Sequence, residues 1–376
     1  MLNGVQLSLY IGPVVPIPVP REVLDALQAV QVEVHGGDTP SGFELTFGLS
    51  TRSPLHTLFL LTGGSSIPIM RVVIVVIANG TSEVLMDGVM THHEVRPGKD
   101  AGQTTFVVKG TDLTALMDFL PLDGFPFPAM PSAVRVLAIL AKYMALGVIP
   151  LVIPAVVVDV PIPVERIPRQ QGTDYAYVLQ LAREAGYVFY IDPGPVVGTS
   201  RAYWGPEIKV GVPQRALSLN WDAHSNVETL SFTFDKDAKE MPIVFVQNQA
   251  TKIPFPIPIL DISPLNPSLG LVPPLPPKFK ALDFTAKLSP VQAVLQGLAY
   301  ASQHADAVTG TGTLDVTRYG AVLAARRLVG VRGAGEAFDG LYYVQSVTHN
   351  IKRGEYKQSF NLSRDGLISN LPKVPA

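Results

Sequence analysis

Short runs of alternating apolar and polar residues dominate the first third of the chain. Val5–Ile11, Val30–Val34 and Phe43–Gly48 each mix β-branched or aromatic residues with polar ones, which predicts half-buried strands. Gly36-Gly37-Asp38-Thr39-Pro40-Ser41-Gly42 reads as a loop between two of them. A short helix is expected over Arg21–Ala29, after Pro20, with Val23, Leu24 and Leu27 on its apolar side. Ile67–Ala78 is a nearly unbroken β-branched run holding one charge, Arg71; it is too short to cross a bilayer and reads as a central strand. Val84–Val108 follows as a hairpin.

From about Pro121 the period changes. After Phe125-Pro126-Phe127-Pro128, the stretch Ala133–Leu146 has helical spacing at Val136, Leu137, Leu140 and Met144. Val136–Val158 is the most membrane-like stretch, but Pro150 and Pro154 break its second half, so a helix followed by an extended apolar segment is expected. A second helix starts at the cap Thr173 and stops at Gly186. The aromatic strand Tyr187–Ile191 comes next and ends at the turn Asp192-Pro193-Gly194. Helix, glycine stop, strand and tight turn make a compact α/β unit.

From about Ala216 the alternation returns, in Thr229–Phe234 and Ile243–Gln247. Nine prolines between Ile253 and Phe279 argue against a helix or a central strand and predict an extended, partly polyproline connection. Pro290–Ala301 and Thr317–Leu328 read as helices, the second carrying Arg318, Arg326 and Arg327, and Leu341–Leu362 closes the chain with β texture.

Two distant stretches echo each other. Asp87-Gly88, Thr91-His92, Gln103-Thr104-Thr105-Phe106 and Asp112 match Asp339-Gly340, Thr348-His349, Gln358-Ser359-Phe360 and Asp365 in order. The match suggests a duplicated β-domain, one copy on each side of the α/β unit.

Composition narrows the function classes. The 376 residues carry 29 Lys+Arg against 31 Asp+Glu, a formal charge of −2, which lacks the basic excess of a polyanion binder. Only 16% of residues are charged against roughly 25% in an average domain. With 47% hydrophobic residues and a mean hydropathy of +0.27, much apolar surface must be buried internally or against partners. The absence of cysteine excludes disulfides, thiolate metal sites and cysteine nucleophiles. The N-terminus, broken by Pro13, Pro16, Pro18 and Pro20, is not a signal peptide.

No catalytic pattern stands out. The seven histidines (His35, His56, His92, His93, His224, His304, His349) form no helical ligand pair, and no Gly-x-Ser-x-Gly elbow occurs. Gly310-Thr311-Gly312 reads as a loop and Gly330–Glu336 as a wide turn. The carboxylates are scattered, which leaves a glycosidase-type pair open without supporting it. Arg326-Arg327 reads as a solvated helix face rather than an interface anchor. No cofactor or metal is expected.

The segment Gln171–Ile191, with Gly172, Asp174, Tyr175, Leu179, Leu181, Ala182, Gly186, Tyr187 and Phe189, resembles the helix–glycine–strand segment of phage late control protein D and VgrG-like baseplate hub proteins. Tyr319–Arg326 and then Asp339–His349, with Gly340, Tyr342, Val344, Val347 and His349, are similar to the end of that family. The Trp221-containing Leu217–Phe234 stretch looks like its second-barrel start. These residues are structural motif positions rather than catalytic ones.

The resemblance implies a mainly β fold with an α/β insertion: two β-barrel-like hub domains, 1–120 and 216–376, flanking a smaller α/β domain, 121–215, with the proline-rich connection at 253–279. It implies a non-enzymatic baseplate hub of a contractile tail or contractile injection system. Such a hub is a homotrimer forming a pseudo-sixfold ring, with an inner tube protein above, a spike protein below and baseplate proteins around it. Because the chain ends at Ala376 soon after the second barrel, a separate spike is expected. Assembly in the bacterial cytoplasm is expected, with neither nucleic acid nor stable membrane insertion. The alternatives are a tail-associated cell-wall hydrolase and a membrane-interacting tail component, the latter prompted by Val136–Val158.

Overall fold

The computed structural model describes residues 5–49, 69–98, 104–155, 160–164, 167–219, 225–247, 253–260, 266–274, 278–283, 285 and 290–370. Ile67, His56, Gln103, Val156–Val158, Trp221, His224 and the prolines at 264, 276 and 277 lie outside them.

The first part of the chain builds β1 (Val5–Pro13), β2 (Ile17–Pro18), α1 (Arg21–Ala26), β3 (Leu27–His35), β4 (Gly42–Gly48), β5 (Met70–Ala78), β6 (Thr81–Arg96), β7 (Thr105–Asp112) and α2 (Thr114–Met117). The predicted helix after Pro20 ends three residues early, at Ala26, and Leu27 begins β3 directly. β5 lies between β1 and β6 with Val72 to Val76 all buried, so both its faces are covered. That explains a run without alternation.

The middle builds α3 (Ser132–Leu140), a 3-10 turn (Ala141–Leu146), β8 (Val148–Val152), α4 (Asp174–Ala185), β9 (Val188–Pro193) and β10 (Ser200–Gly205). β8, β10 and β9 form a small sheet in that order. The membrane-like stretch is thus α3, the 3-10 turn and edge strand β8, joined by Gly147 at φ +81. Among the described residues no helix is long and apolar enough to cross a membrane.

The last part builds β11 (Gln214–Ser218), β12 (Thr229–Phe234), β13 (Glu240–Gln247), β14 (Pro254–Pro258), β15 (Gly270–Val272), β16 (Lys278–Ala281), α5 (Pro290–Gln303), β17 (Val308–Asp315), α6 (Val316–Tyr319), β18 (Leu328–Arg332), β19 (Gly340–Lys352), β20 (Glu355–Arg364) and β21 (Leu367–Ser369).

The chain is mainly β, and its largest sheet runs through thirteen strands. One stretch of it has the order β3-β4-β7-β6-β5-β1, the other β12-β17-β20-β19-β18-β11. Numbered by chain order within each set, both read 2-3-6-5-4-1. Every neighbouring pair within the sets is antiparallel except β11 with β18. Antiparallel pairing of β3 with β19 joins the sets. A single apolar core draws on both, including Val32, Leu45 and Phe106 from the first and Leu314, Tyr342 and Phe360 from the second. The α/β unit has its own core, built on Val136, Ile139, Val178, Leu181, Phe189 and Trp204.

Several sequence expectations change here. Thr317–Leu328 is not a helix: only Val316–Tyr319 is helical, and Gly320 at φ +83 ends it. Asp315 caps this turn by accepting from the Thr317 and Arg318 amides. Gly310-Thr311-Gly312 is not a loop but the middle of β17. Its glycines make room for rings, since a Cβ on Gly310 would stand 2.8 Å from Phe232 and one on Gly312 2.6 Å from Phe360. Gly330 belongs to β18, and the turn starts only at Gly333. The proline tract is in part an edge strand. In β14 the prolines at 254, 256 and 258 alternate, so their missing N–H groups all fall on one side of the strand while the other side pairs with β13.

The echo is real in topology but not residue by residue. The hairpins β6–β7 and β19–β20 each carry a one-residue bulge, at Thr91 and at Gln345. Aligning the bulges puts Thr348-His349 three positions beyond the equivalents of Thr91-His92. An odd displacement moves a side chain to the other face of a strand. His92 is accordingly exposed, while His349 is buried.

Candidate functional site

The motif residues of the α/β unit form a cap, a helix and a strand. Gly172 turns at φ +74, and Thr173 caps α4 by accepting from the Ala176 amide. Asp174 is buried in the first turn and accepts from Tyr143 Oη at 2.7 Å, Gln170 Nε2 at 2.8 Å and Lys142 Nζ at 2.5 Å. Burial and the bond to Asp174 hold the Tyr143 hydroxyl protonated far above its usual range. Leu179, Leu181 and Ala182 face the core, and Gly186 ends α4 at φ +68. Tyr187 packs edge-on against Trp204, and Phe189 beside it is buried. Tyr175 leaves the unit, its hydroxyl donating to the Asp38 carbonyl at 3.2 Å.

Two arginines fasten this unit to the large sheet. Arg71 pairs with Asp87 through two bonds of 2.7 and 2.6 Å, both side chains being buried. It also donates to the carbonyls of Leu146 at 2.8 Å and Gly198 at 3.0 Å, while Ser200 donates to Asp87 at 2.9 Å. A single charge in a β-branched strand is therefore the pin between that strand and the α/β unit.

Arg326 joins all three parts. Its guanidinium lies 4.0 Å over the Tyr190 ring, pairs with Asp192, and donates to His35 O at 2.9 Å and Ser41 Oγ at 3.1 Å. It is buried and sits at φ +61, a backbone strain held by these contacts. The solvated-face reading of Arg326 is corrected: the helix that would have exposed it does not form.

The second group of motif residues lies in the last hairpin, apart from the first. Gly340 starts β19 at φ +129, where a Cβ would meet Ser369 at 2.4 Å. Tyr342 donates to the Phe338 carbonyl at 2.8 Å and has Arg364 4.4 Å over its ring. Val344 and Val347 enter the shared core. His349 bonds Tyr356 Oη at 2.8 Å, and burial pushes its imidazole down to about 3, so it is neutral at physiological pH. The fourteen motif residues thus serve two cores and do not converge on one centre. Among the described residues no cluster of three His, Asp or Glu side chains could hold a metal ion.

One cavity of about 910 Å³ opens beside α3 and α4, with Arg135 and Trp204 in its wall. Among the described residues, Arg135 Nε and Trp204 Nε1 are buried there without a hydrogen-bond partner.

The other notable surface is backbone. β12 pairs only with β17, and beyond Val89 β6 pairs only with β7, so among the described residues each offers an open edge. Sequence reading missed these edges along with Arg71 and Asp87. The lone arginine in an apolar strand was the available signal for the pin; the edges left none.

No protein-family model and no curated protein matches this chain. Solved structures do. A tail protein from Neisseria meningitidis is similar with TM-score 0.61 and 14% identity over 97% of this chain and 98% of that one. The 43 kDa tail protein of prophage MuSo2 from Shewanella oneidensis gives 0.59 and 14%, over 96% and 98%. A chain of a Francisella PdpA–VgrG complex gives 0.63 and 9%, with all of this chain spanning 55% of that one. The chain has the fold of phage tail and VgrG-complex proteins.

Proposed function

We propose that the chain is a structural baseplate hub of a contractile tail or contractile injection system. Three copies form a ring of six similar β units between a sixfold inner tube and a trimeric spike, with baseplate proteins around it. The observation that carries this reading is the strand order 2-3-6-5-4-1, present twice in one chain. A trimer of such chains offers near-sixfold symmetry to one neighbour and threefold symmetry to another. The division into β units at about 1–120 and 216–376 around an α/β unit at 121–215 belongs to the same reading. The fold likeness to tail proteins supports it.

The chain acts here as a scaffold, not an enzyme, and is assembled in the bacterial cytoplasm. The Arg71 and Arg326 pins fix the α/β unit to both β sets, as a load-transmitting part requires. Exposed Phe255, Leu260, Leu271 and Phe279 in the proline-rich connection give baseplate partners an apolar surface.

Native mass tests the proposal. Three copies of 40.4 kDa give about 121 kDa, the mass expected for the purified chain alone and the share this chain contributes to a heavier complex when it is co-expressed with its spike. A chain that stays monomeric in both conditions overturns it.

A further inference from the structure

The internal junction between β3 and β19 predicts how one copy meets the next. In the first set, a row of facing residues runs Val32–Phe43–Gly110–Met90 across β3, β4, β7 and β6. In the second, the row Phe232–Gly310–Leu362–Val344 runs across β12, β17, β20 and β19. Met90 and Val344 each stand immediately before the bulge of their strand, so the rows are equivalent and Phe232 takes the place of Val32. Within the chain Val32 faces His349, five residues after Val344. The residue five after Met90 is Val95.

We infer that β12 of one copy pairs antiparallel with the outer half of β6 of the next copy, in the register that sets Phe232 opposite Val95. This rests on the trimeric hub reading and specifies its contact. Burial agrees with it. Val32 and His349, inside the existing junction, are 0% and 3% exposed, whereas Val95 is 44% exposed and Phe232 half-buried. The flanking apolar pairs of the internal junction, Val30 with Ile351 and Val34 with Val347, become Leu230 with Pro97 and Phe234 with His93. On the other face Ser231 meets Arg96 and Thr233 meets Glu94, so the polar side stays polar.

The β12 edge also lacks the usual protection. Exposed edges are commonly blunted by charge, proline or a bulge. Thr229-Leu230-Ser231-Phe232-Thr233-Phe234 has no charge and no proline, and pairs with β17 without a register break. Each copy offers one donor edge and one acceptor edge, a head-to-tail contact that closes only as a ring.

Because the chain has no cysteine, paired substitutions read the register directly. Directly opposed residues have Cβ atoms about 4.5–5.5 Å apart, near disulfide reach. Under mild oxidation, Val95→Cys with Phe232→Cys is expected to give covalent dimers and trimers on a non-reducing gel, lost with reductant. Arg96→Cys with Ser231→Cys, at exposed polar positions, does the same without touching the core. The offset pair Val95→Cys with Thr233→Cys, on opposite faces, stays uncrosslinked. A sample of trimeric native mass in which neither opposed pair crosslinks between chains overturns the register and leaves the hub reading standing. A chain that stays monomeric both alone and co-expressed with its spike overturns both.

Discussion

The two six-stranded sets share a strand order but are closed differently. In the second set, the outer half of β19 is covered by β3, and Val30, Val32, Val347, His349 and Ile351 at that junction are buried. In the first set, the matching half of β6 has no such neighbour among the described residues, and Val95 stands exposed. Their anchors differ too. Arg71 in the first set is neutralised by Asp87, whereas Arg364 in the second donates to the carbonyls of Gly366, Asp339 and Ala337 at 2.7–2.9 Å. Both sets close the sixth strand with an aspartate on backbone amides: Asp112 on Ser41 and Thr114, Asp365 on Leu269 and Gly270. What repeats is the backbone path and its closure by an aspartate; the anchoring side chains differ.

Removing an anchor is the harshest way to separate the sets. Arg71→Ala leaves Asp87 buried and unpaired, which costs about 3–5 kcal/mol. Arg364→Met leaves only carbonyls wanting, about 1–3 kcal/mol. Denaturant unfolding should rank them so, and Arg71→Met with Asp87→Leu should recover most of the first loss. Equal losses for the single and the double variant mean the ion pair is not what matters.

Glycine–aromatic packing gives a smaller contrast. A Cβ on Gly110 stands 2.2 Å from the Val89 carbonyl oxygen and 2.5 Å from the Phe43 ring, while the nearest atoms to one on Gly310 are side-chain atoms of Phe232 and Leu362 at 2.8–3.3 Å. Gly110→Ala is expected to cost about 2–3 kcal/mol and Gly310→Ala about 1 kcal/mol. The reverse order in thermal unfolding contradicts this account of the two sheets.

His349 supplies a contrast in pH, since its equivalent in the first set is Val95. Burial lowers the folded-state imidazole from 6.5 to about 3, so below 6.5 the unfolded chain binds the proton more readily. Its contribution is fully present above about 6.5 and falls by about 1.4 kcal/mol per pH unit on acidification towards 3. His349→Gln should flatten that part of the stability profile; an unchanged slope assigns it to other groups.

The smallest effect on folding is expected at the open edge. Val95→Lys should shift chain stability by no more than about 0.5 kcal/mol. The same change should abolish the 121 kDa species, seen as a monomeric native mass. A trimer that survives Val95→Lys points to a contact elsewhere.

Local structure was legible wherever a short stretch carries its own signal. Thr173 and Gly186 bound α4 because a cap and a left-handed stop need particular residues. Alternation found β1, β3, β4 and β12. Reading failed where a residue answers to distant neighbours. Gly310 and Gly312 look like a loop until Phe232 and Phe360 are placed against them. Arg326 looks like a surface residue until Tyr190, Asp192, His35 and Ser41 surround it, from as far as 291 positions away in sequence. The motif residues were named as one family pattern, and nothing in that pattern showed that they divide between two separate cores.

Side-chain pattern alone placed most of the long strands and both ends of α4. Those follow from side-chain period and backbone preference, which act over a few residues. The strand order, the junction of β3 with β19 and the register that separates His92 from His349 are set by long-range pairing. Ladder hydrogen bonds join backbone groups that every residue carries, so side-chain identity does not name the partner strand. Burial of one face and the position of a bulge do.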